Sequence, residues 1–110
     1  MNSSEPQIRV ALITAPDLET ATGIARALVE ERLVACVNLV PGIRSIYRWE
    51  GNIEEDAEVL LVVKTRADRA DALVDRVAEL HPYELPEVVM LPAVGGSLAY
   101  LDWVRGEAAP

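Results

Sequence analysis

A chain of 110 residues with a net charge of −8 fits one soluble domain and argues against a nucleic-acid partner, because its ten basic residues are scattered and phosphate binding needs a basic surface. No apolar run approaches the ~20 residues that cross a bilayer, which argues against a membrane protein. The single cysteine, Cys36, excludes an internal disulfide, and the polar N-terminus resembles no targeting peptide, so we expect a cytoplasmic protein.

The first part of the chain predicts a strand, a helix and a second strand. Residues 8–14 form an apolar run typical of a strand, and Asp17 is placed to cap the following helix. The apolar residues of that helix recur at the helical period, which predicts one buried face: Leu18, Ala21, Ile24, Ala25, Leu28 and Val29. The next strand is expected to start near Leu33 and to run through Val40.

Residues 35–64 predict a long β-hairpin. Its tip is expected at residues 49–53, where Gly51 and Asn52 tolerate the positive φ angles of a tight turn. Both arms exceed the usual strand length of about 5–6 residues, and Pro41-Gly42 predicts a bulge or bend that interrupts the first arm. Such an arm extends beyond any core that one chain of this size builds, so we expect it to reach another subunit.

The remaining residues repeat the same plan. An apolar strand at residues 59–64 is followed by Asp68 in the position of a helix cap, and His81-Pro82 is expected to end the helix. The apolar face of this second helix comprises Leu73, Val74, Val77 and Leu80. A last strand is predicted at residues 87–92 and a short amphipathic helix at residues 97–106.

Two consecutive β-α-β units predict an α+β fold, a ferredoxin-like βαββαβ sandwich with an extended hairpin between its second and third strands and a short C-terminal helix. We expect residues 1–7 to be disordered, residues 8–106 to form the domain and residues 107–110 to fray. The strand at residues 59–63 is apolar on both sides, so the second sheet face also needs burial. Four aromatic residues lie outside the predicted core, and we expect them to anchor the interfaces between the subunits of an oligomer: Tyr47, Trp49, Tyr100 and Trp103.

Several motifs resemble the CutA (divalent-cation tolerance) family. They occur in order along residues 8–105 and include Ala35-Cys36-Val37-Asn38, Tyr47-Arg48-Trp49-Glu50-Gly51 and His81-Pro82-Tyr83-Glu84. The resemblance implies a ferredoxin-like homotrimer whose hairpins extend the sheets across subunit boundaries. It also implies a role in the tolerance of copper and other divalent metals.

Three residues are candidate metal ligands. His81, the only histidine, is the first candidate, and the thiol of Cys36 and the carboxylate of Glu84 are lesser ones. Each has a structural alternative, since Cys36 lies in an apolar strand and His81 follows a helix whose last carbonyls it could cap. In relatives credited with copper binding, a cysteine replaces Ile13 and a histidine replaces Leu80, which leaves His81 as the shared member of that set.

Two further features are candidate sites. The acidic run after the hairpin tip (Glu50, Glu54, Glu55, Asp56 and Glu58) matches no calcium or magnesium loop, and we interpret it as the charged border of an exposed strand edge. The second candidate site is a cleft between subunits, of the kind in which trimeric PII-type signalling proteins bind small ligands. Its candidate lining residues are Lys64, Arg66, Tyr83 and Glu87.

No catalytic motif emerges, because His81 has no evident serine partner and the chain has neither a P-loop nor a GxGxxG sequence. The sequence therefore predicts a non-enzymatic homotrimer with a role in the response to metal ions, weak copper or divalent-metal binding, and no obligatory cofactor. Two alternatives remain open. One is a PII-like small-ligand sensor, and the other is a structural trimer that presents a surface to a protein partner.

Overall fold

The computed structural model describes residues 5–110. This part of the chain forms four strands and three α-helices, with one turn of 3-10 helix at Ala67–Arg69. In chain order they are β1 (Ile8–Ala15), α1 (Leu18–Glu30), β2 (Cys36–Trp49), β3 (Asn52–Arg66), α2 (Ala70–Leu80), β4 (Val89–Pro92) and α3 (Leu98–Glu107). Between residues 5 and 110, no helix is both long enough and apolar enough to span a membrane.

The strands form one antiparallel sheet in the order β2-β3-β1-β4. Helices α1 and α2 cover the same face of this sheet. Because side chains alternate along a strand, this face receives every second residue of β1 and β3. The resulting aliphatic core contains Ala11, Ile13, Leu61 and Val63 from the strands, Ala21, Ile24 and Leu28 from α1, and Leu73 and Val77 from α2. The βαββαβ plan and the short C-terminal helix predicted from the sequence are therefore present.

Helix α3 lies over one end of the opposite sheet face. Ile8 alternates with the core residues of β1 and belongs to a second cluster of buried residues with Ala35, Val104 and Ala108. The rest of this face is open in one chain, since Leu12, Leu60 and Val62 are half-buried and Val40 is exposed. The expectation that the second face is apolar and uncovered is met over most of its area.

Arginines fix the C-terminal end of α3. The guanidinium of Arg32 donates to the backbone carbonyls of Gly106 and Ala109 at 3.0 and 3.3 Å, and Arg66 donates to that of Arg105 at 3.1 Å. The carbonyls of Arg105 and Gly106 belong to the last turn of α3, and that of Ala109 follows the helix. A cation is favourable at this end, where a helix leaves acceptors without internal donors.

The hairpin turn contains two residues, Glu50 and Gly51, between the paired residues Trp49 and Asn52. Both have positive φ, 49° for Glu50 and 83° for Gly51, as the tight turn of a two-residue hairpin requires. Gly51 was predicted to have this conformation, but the assignment of Asn52 to the turn was wrong, because Asn52 already pairs with Trp49 as the first residue of β3.

A one-residue bulge interrupts β2 at Pro41-Gly42, as the sequence predicted. Val40 pairs with Leu60 and Ile43 pairs with Glu58, so three steps along β2 match two steps along β3. Gly42 has φ 79°, a conformation that favours glycine. The extra residue shifts the alternation, and the odd-numbered residues of the outer arm, including Tyr47, consequently lie on the same sheet face as Glu58.

Other element boundaries and faces differ from the sequence prediction. Leu18 and Val29 of α1 and Val74 of α2 are exposed, because each lies at the margin of its helix's buried stripe. The second strand begins at Cys36 rather than near Leu33; the residues before it are buried in the connection from α1. The last strand, β4, is shorter than predicted and begins at Val89.

Asp17 and Asp68 behave differently despite their similar positions. Asp17 caps α1 and accepts a hydrogen bond from the Thr20 backbone N–H at 2.7 Å, as predicted. The prediction that Asp68 caps α2 was wrong. Asp68 lies within the 3-10 turn, and its carboxylate pairs with the guanidinium of Arg66 at 2.6 and 2.9 Å.

The two ends of the described chain are held by contacts. Residues 1–4 of the predicted disordered segment lie outside the described residues, whereas the backbone carbonyls of Pro6 and Gln7 accept hydrogen bonds from Arg105 and Ala67. At the other end, α3 extends to Glu107 and Ala108 is fully buried. The chain does not fray at 107, because Ala108 packs into the cluster beneath α3.

Candidate functional site on the open sheet face

A hydrogen bond between Tyr83 and Glu58 forms the centre of the candidate site. Glu58 lies on the open sheet face, just before the part of β3 that pairs with β1, and only 7% of it is exposed. Tyr83 comes from the loop after α2, and its hydroxyl donates to Oε2 of Glu58 at 2.7 Å. Burial and this bond to a carboxylate both raise the pKa of the Tyr83 phenol.

His81 fixes the loop that carries Tyr83. Its Nδ1 accepts a hydrogen bond from the Tyr83 backbone N–H at 3.1 Å, so Nε2 carries the proton and donates to the Thr14 carbonyl at 2.7 Å. The rings of His81 and Tyr83 are 4.6 Å apart between centroids. The buried imidazole thus joins the end of α2, the end of β1 and the start of the loop.

Tyr47 lies on the outer arm of the hairpin, on the same face as Glu58. Its hydroxyl donates to Oδ2 of Asp56, which pairs across the hairpin with Ser45. This hydrogen bond, together with neighbouring carboxylates, raises the pKa of Tyr47 to about 12. Two tyrosines in this region are therefore hydrogen-bonded to carboxylates.

These groups surround a cleft of about 620 Å³, a size typical of small-molecule sites. The hairpin arm forms one side, the end of β1 contributes Thr14, and the loop after α2 forms the other side. The lining residues are Thr14, Ser45, Ile46, Tyr47, Arg48, Trp49, Glu58, Tyr83, Glu84, Leu85 and Glu87. The cleft is therefore aromatic and acidic.

The structure does not bring the three candidate metal ligands together within one chain. Cys36 pairs with Lys64 near the start of β1, whereas His81 contacts Thr14 near its end, on the row of Leu60. These rows, at Lys64 and Leu60, are four positions apart along β3, which is roughly 13 Å along a strand. Among residues 5–110, no group of three or more His, Cys, Asp and Glu side chains is arranged to hold a metal ion.

Each candidate ligand has a different environment. Both ring nitrogens of His81 are hydrogen-bonded to backbone groups, and Sγ of Cys36 lies 3.3 Å from the hydroxyl of Tyr100. This contact with the thiol is the main reason that the pKa of Tyr100 is raised. Glu84 is exposed and lines the cleft. Ile13, the position of a cysteine in some relatives, is fully buried in the core.

The four residues proposed to line a ligand cleft divide into two pairs. Tyr83 and Glu87 line the acidic cleft, whereas Lys64 and Arg66 do not. Lys64 donates to the side chain of Asn38, and Arg66 pairs with Asp68 near α3. The separation arises because Lys64 and Arg66 lie at the end of β3, six and eight residues beyond Glu58.

The acidic run lies mainly where the sequence placed it, along an open strand edge. The segment of β3 before Val59 pairs with β2 alone, because β1 ends at Ala15 opposite Val59. Glu55 forms an ion pair with Arg44 at 2.8 Å on this exposed arm. Glu58 is the exception. It is buried beneath Tyr83, and its assignment to an exposed border was wrong.

Glu58 lines the cleft although it was not among the site residues predicted from the sequence. One signal for it exists in the sequence, because Glu58 alternates with Leu60 and Val62 and so belongs to the apolar second face of β3. Asp56 lies two residues before Glu58 and so shares its sheet face. The bulge in β2 brings its hydrogen-bond partner, Tyr47, to the same face. The predicted interface aromatics are partly exposed, and the rings of Tyr100 and Trp103 lie 5.6 Å apart.

Comparison with known proteins identifies the family to which this chain belongs. The family model described as CutA1 divalent ion tolerance protein matches residues 9–107. The chain belongs to the CutA1 family. The resemblance inferred from the sequence motifs is thereby confirmed.

Individual CutA relatives agree in sequence and fold. The divalent-cation tolerance protein CutA of Thermus thermophilus is 57% identical over 96 residues, which cover 87% of this chain and 93% of that protein. Human protein CutA is 52% identical over 98 residues. These residues cover 89% of this chain and 55% of the human protein, so the chain spans about half of that relative. The crystal structure of CutA1 from Oryza sativa has a TM-score of 0.91 and 44% identity, with 96% of each chain covered.

Proposed function

We propose that this protein is a non-enzymatic homotrimer that takes part in the cellular response to divalent metal ions and binds copper or another divalent metal weakly. Membership of the CutA1 divalent ion tolerance family carries the proposal. The relative from Thermus thermophilus is named for divalent-cation tolerance rather than for a catalysed reaction. In addition, His81 hydrogen-bonds two backbone groups and not the hydroxyl or thiol of a nucleophile.

The hairpin arm supports the trimer. β2 and β3 extend past the end of β1, and the molecule measures 48 × 25 × 23 Å, which is elongated for its size. The outer part of β3 extends beyond β1, so one of its edges does not pair with β1. Tyr47 and Trp49 on this arm are partly exposed. Unpaired edges and exposed aromatic residues favour pairing with another copy.

Light scattering on the purified protein tests the assembly. We expect a mass of three chains at micromolar concentration, and a monomer would contradict the proposal. Trp49→Glu, which places a charge on the exposed arm, should weaken the assembly, whereas Glu19→Gln, an exposed change on α1, should not.

The environment of the candidate ligands supports weak rather than tight metal binding. A metal at Nδ1 of His81 must displace the Tyr83 N–H, and a metal at Cys36 must compete with Tyr100. Glu84 is free of such competition because it is exposed. A site that uses more than one of these residues would need ligands from more than one chain, since the three are not grouped in one.

Calorimetric titration with copper and zinc tests the metal proposal. Absence of binding below about 1 mM would contradict it. A decrease in affinity in His81→Ala and Glu84→Gln, with Glu19→Gln as the control, would support the assignment of these ligands. Unchanged affinity in His81→Ala would remove His81 from the site. The predicted cytoplasmic location stays a prediction that fractionation of tagged cells would check.

A small-ligand sensor is the second candidate, and the cleft of about 620 Å³ is the observation that favours it. Tyr83 and Glu87, two of the four residues predicted for a cleft between subunits, line this cleft within one chain, and the carboxylates beside them disfavour nucleotides and other anions there. A thermal-shift screen over charged and neutral metabolites distinguishes the two functions, because a ligand selective for the folded state raises the melting temperature.

A further inference from the structure

We draw no further inference here: the strongest candidate, the apolar groove that Val29, Val37 and Leu39 line between α1 and the edge strand β2, is an unpartnered surface, and nothing in the structure shows what covers it.

Discussion

The imidazole of His81 donates from Nε2 to the backbone carbonyl of Thr14 at 2.7 Å across 67 residues of sequence. Because Nδ1 simultaneously accepts from the Tyr83 N–H, the ring joins the last residues of β1 to the loop that follows α2. The two hydrogen bonds of the ring hold the loop so that Tyr83 reaches Glu58, and Tyr83 forms part of one wall of the cleft. The only histidine of the chain thus has a structural role that any metal would have to displace.

Replacement of His81 should destabilise the fold. His81→Ala leaves the Thr14 carbonyl and the Tyr83 N–H without their partner, and we expect a loss of about 1–3 kcal/mol in the free energy of unfolding. Urea denaturation at matched protein concentration measures it, since association would make stability depend on concentration. Glu84→Ala, an exposed change in the same loop, should alter stability by less than about 0.5 kcal/mol. Equal effects of the two variants would show that the His81 bonds are dispensable.

The tyrosines should ionise late in an alkaline titration. Hydrogen bonding to Asp56 raises the pKa of Tyr47 from 10.0 to about 12, and burial with the Glu58 bond raises that of Tyr83 further. In the folded protein, tyrosinate absorbance should therefore lag behind that of the urea-unfolded chain between pH 10 and 12. Tyr47→Phe should remove part of the lag, and superimposable curves for folded and unfolded protein would contradict the assignment.

Stability should fall over the same alkaline range. The unfolded state releases its tyrosine protons near pH 10.0, while the folded state retains them to higher pH. The stabilisation from these phenols is therefore complete below pH 10 and is lost as pH rises through the folded-state pKa. Urea midpoints measured across this range check the direction, and a midpoint that rises with pH would show the opposite linkage.

Two glycines should respond in opposite directions to the same substitution. Gly42→Ala in the bulge forces a side chain into φ 79°, and we expect it to cost about 1 kcal/mol or more. Gly23→Ala in α1 should stabilise the protein by about 0.5–1 kcal/mol, because alanine loses less backbone entropy in a helix. Apart from the adjacent residues and the helix's own backbone, no heavy atom of the described chain lies within 4 Å of the added carbon at either site, so the difference reports mainly backbone conformation. A shared sign in urea denaturation would contradict this explanation.

Thr65 offers a test of the connection between α1 and β2. It is fully buried, and its hydroxyl donates to the Leu33 carbonyl at 2.7 Å. Thr65→Val keeps the shape and removes the donor, which should cost about 1–3 kcal/mol in thermal or urea unfolding. Thr65→Ser keeps the hydroxyl, so it should retain most of the stability that valine loses. A serine variant less stable than the valine variant would show that packing, rather than the hydrogen bond, dominates.

Much of the fold could be predicted because its signals are local. The Asp17 cap depends on Thr20, three residues away, and the end of α2 at His81 follows from the adjacent Pro82. Asp68 shows where local similarity fails. Its position matches that of Asp17, but Arg66 lies two residues before it and binds the carboxylate, so the equivalent cap does not form.

The sequence alone determined the two β-α-β units, the bulge at Pro41-Gly42 and the acidic hairpin arm, since each depends on residues close together along the chain. Only the tertiary structure decided that Glu58 is buried, because the side chain that covers it, Tyr83, arrives from a loop 25 residues later. It likewise decided that Tyr47 faces the cleft, because the bulge reverses the alternation of the outer arm. A site made of such distant residues depends on register and loop position, and no short stretch of sequence specifies either.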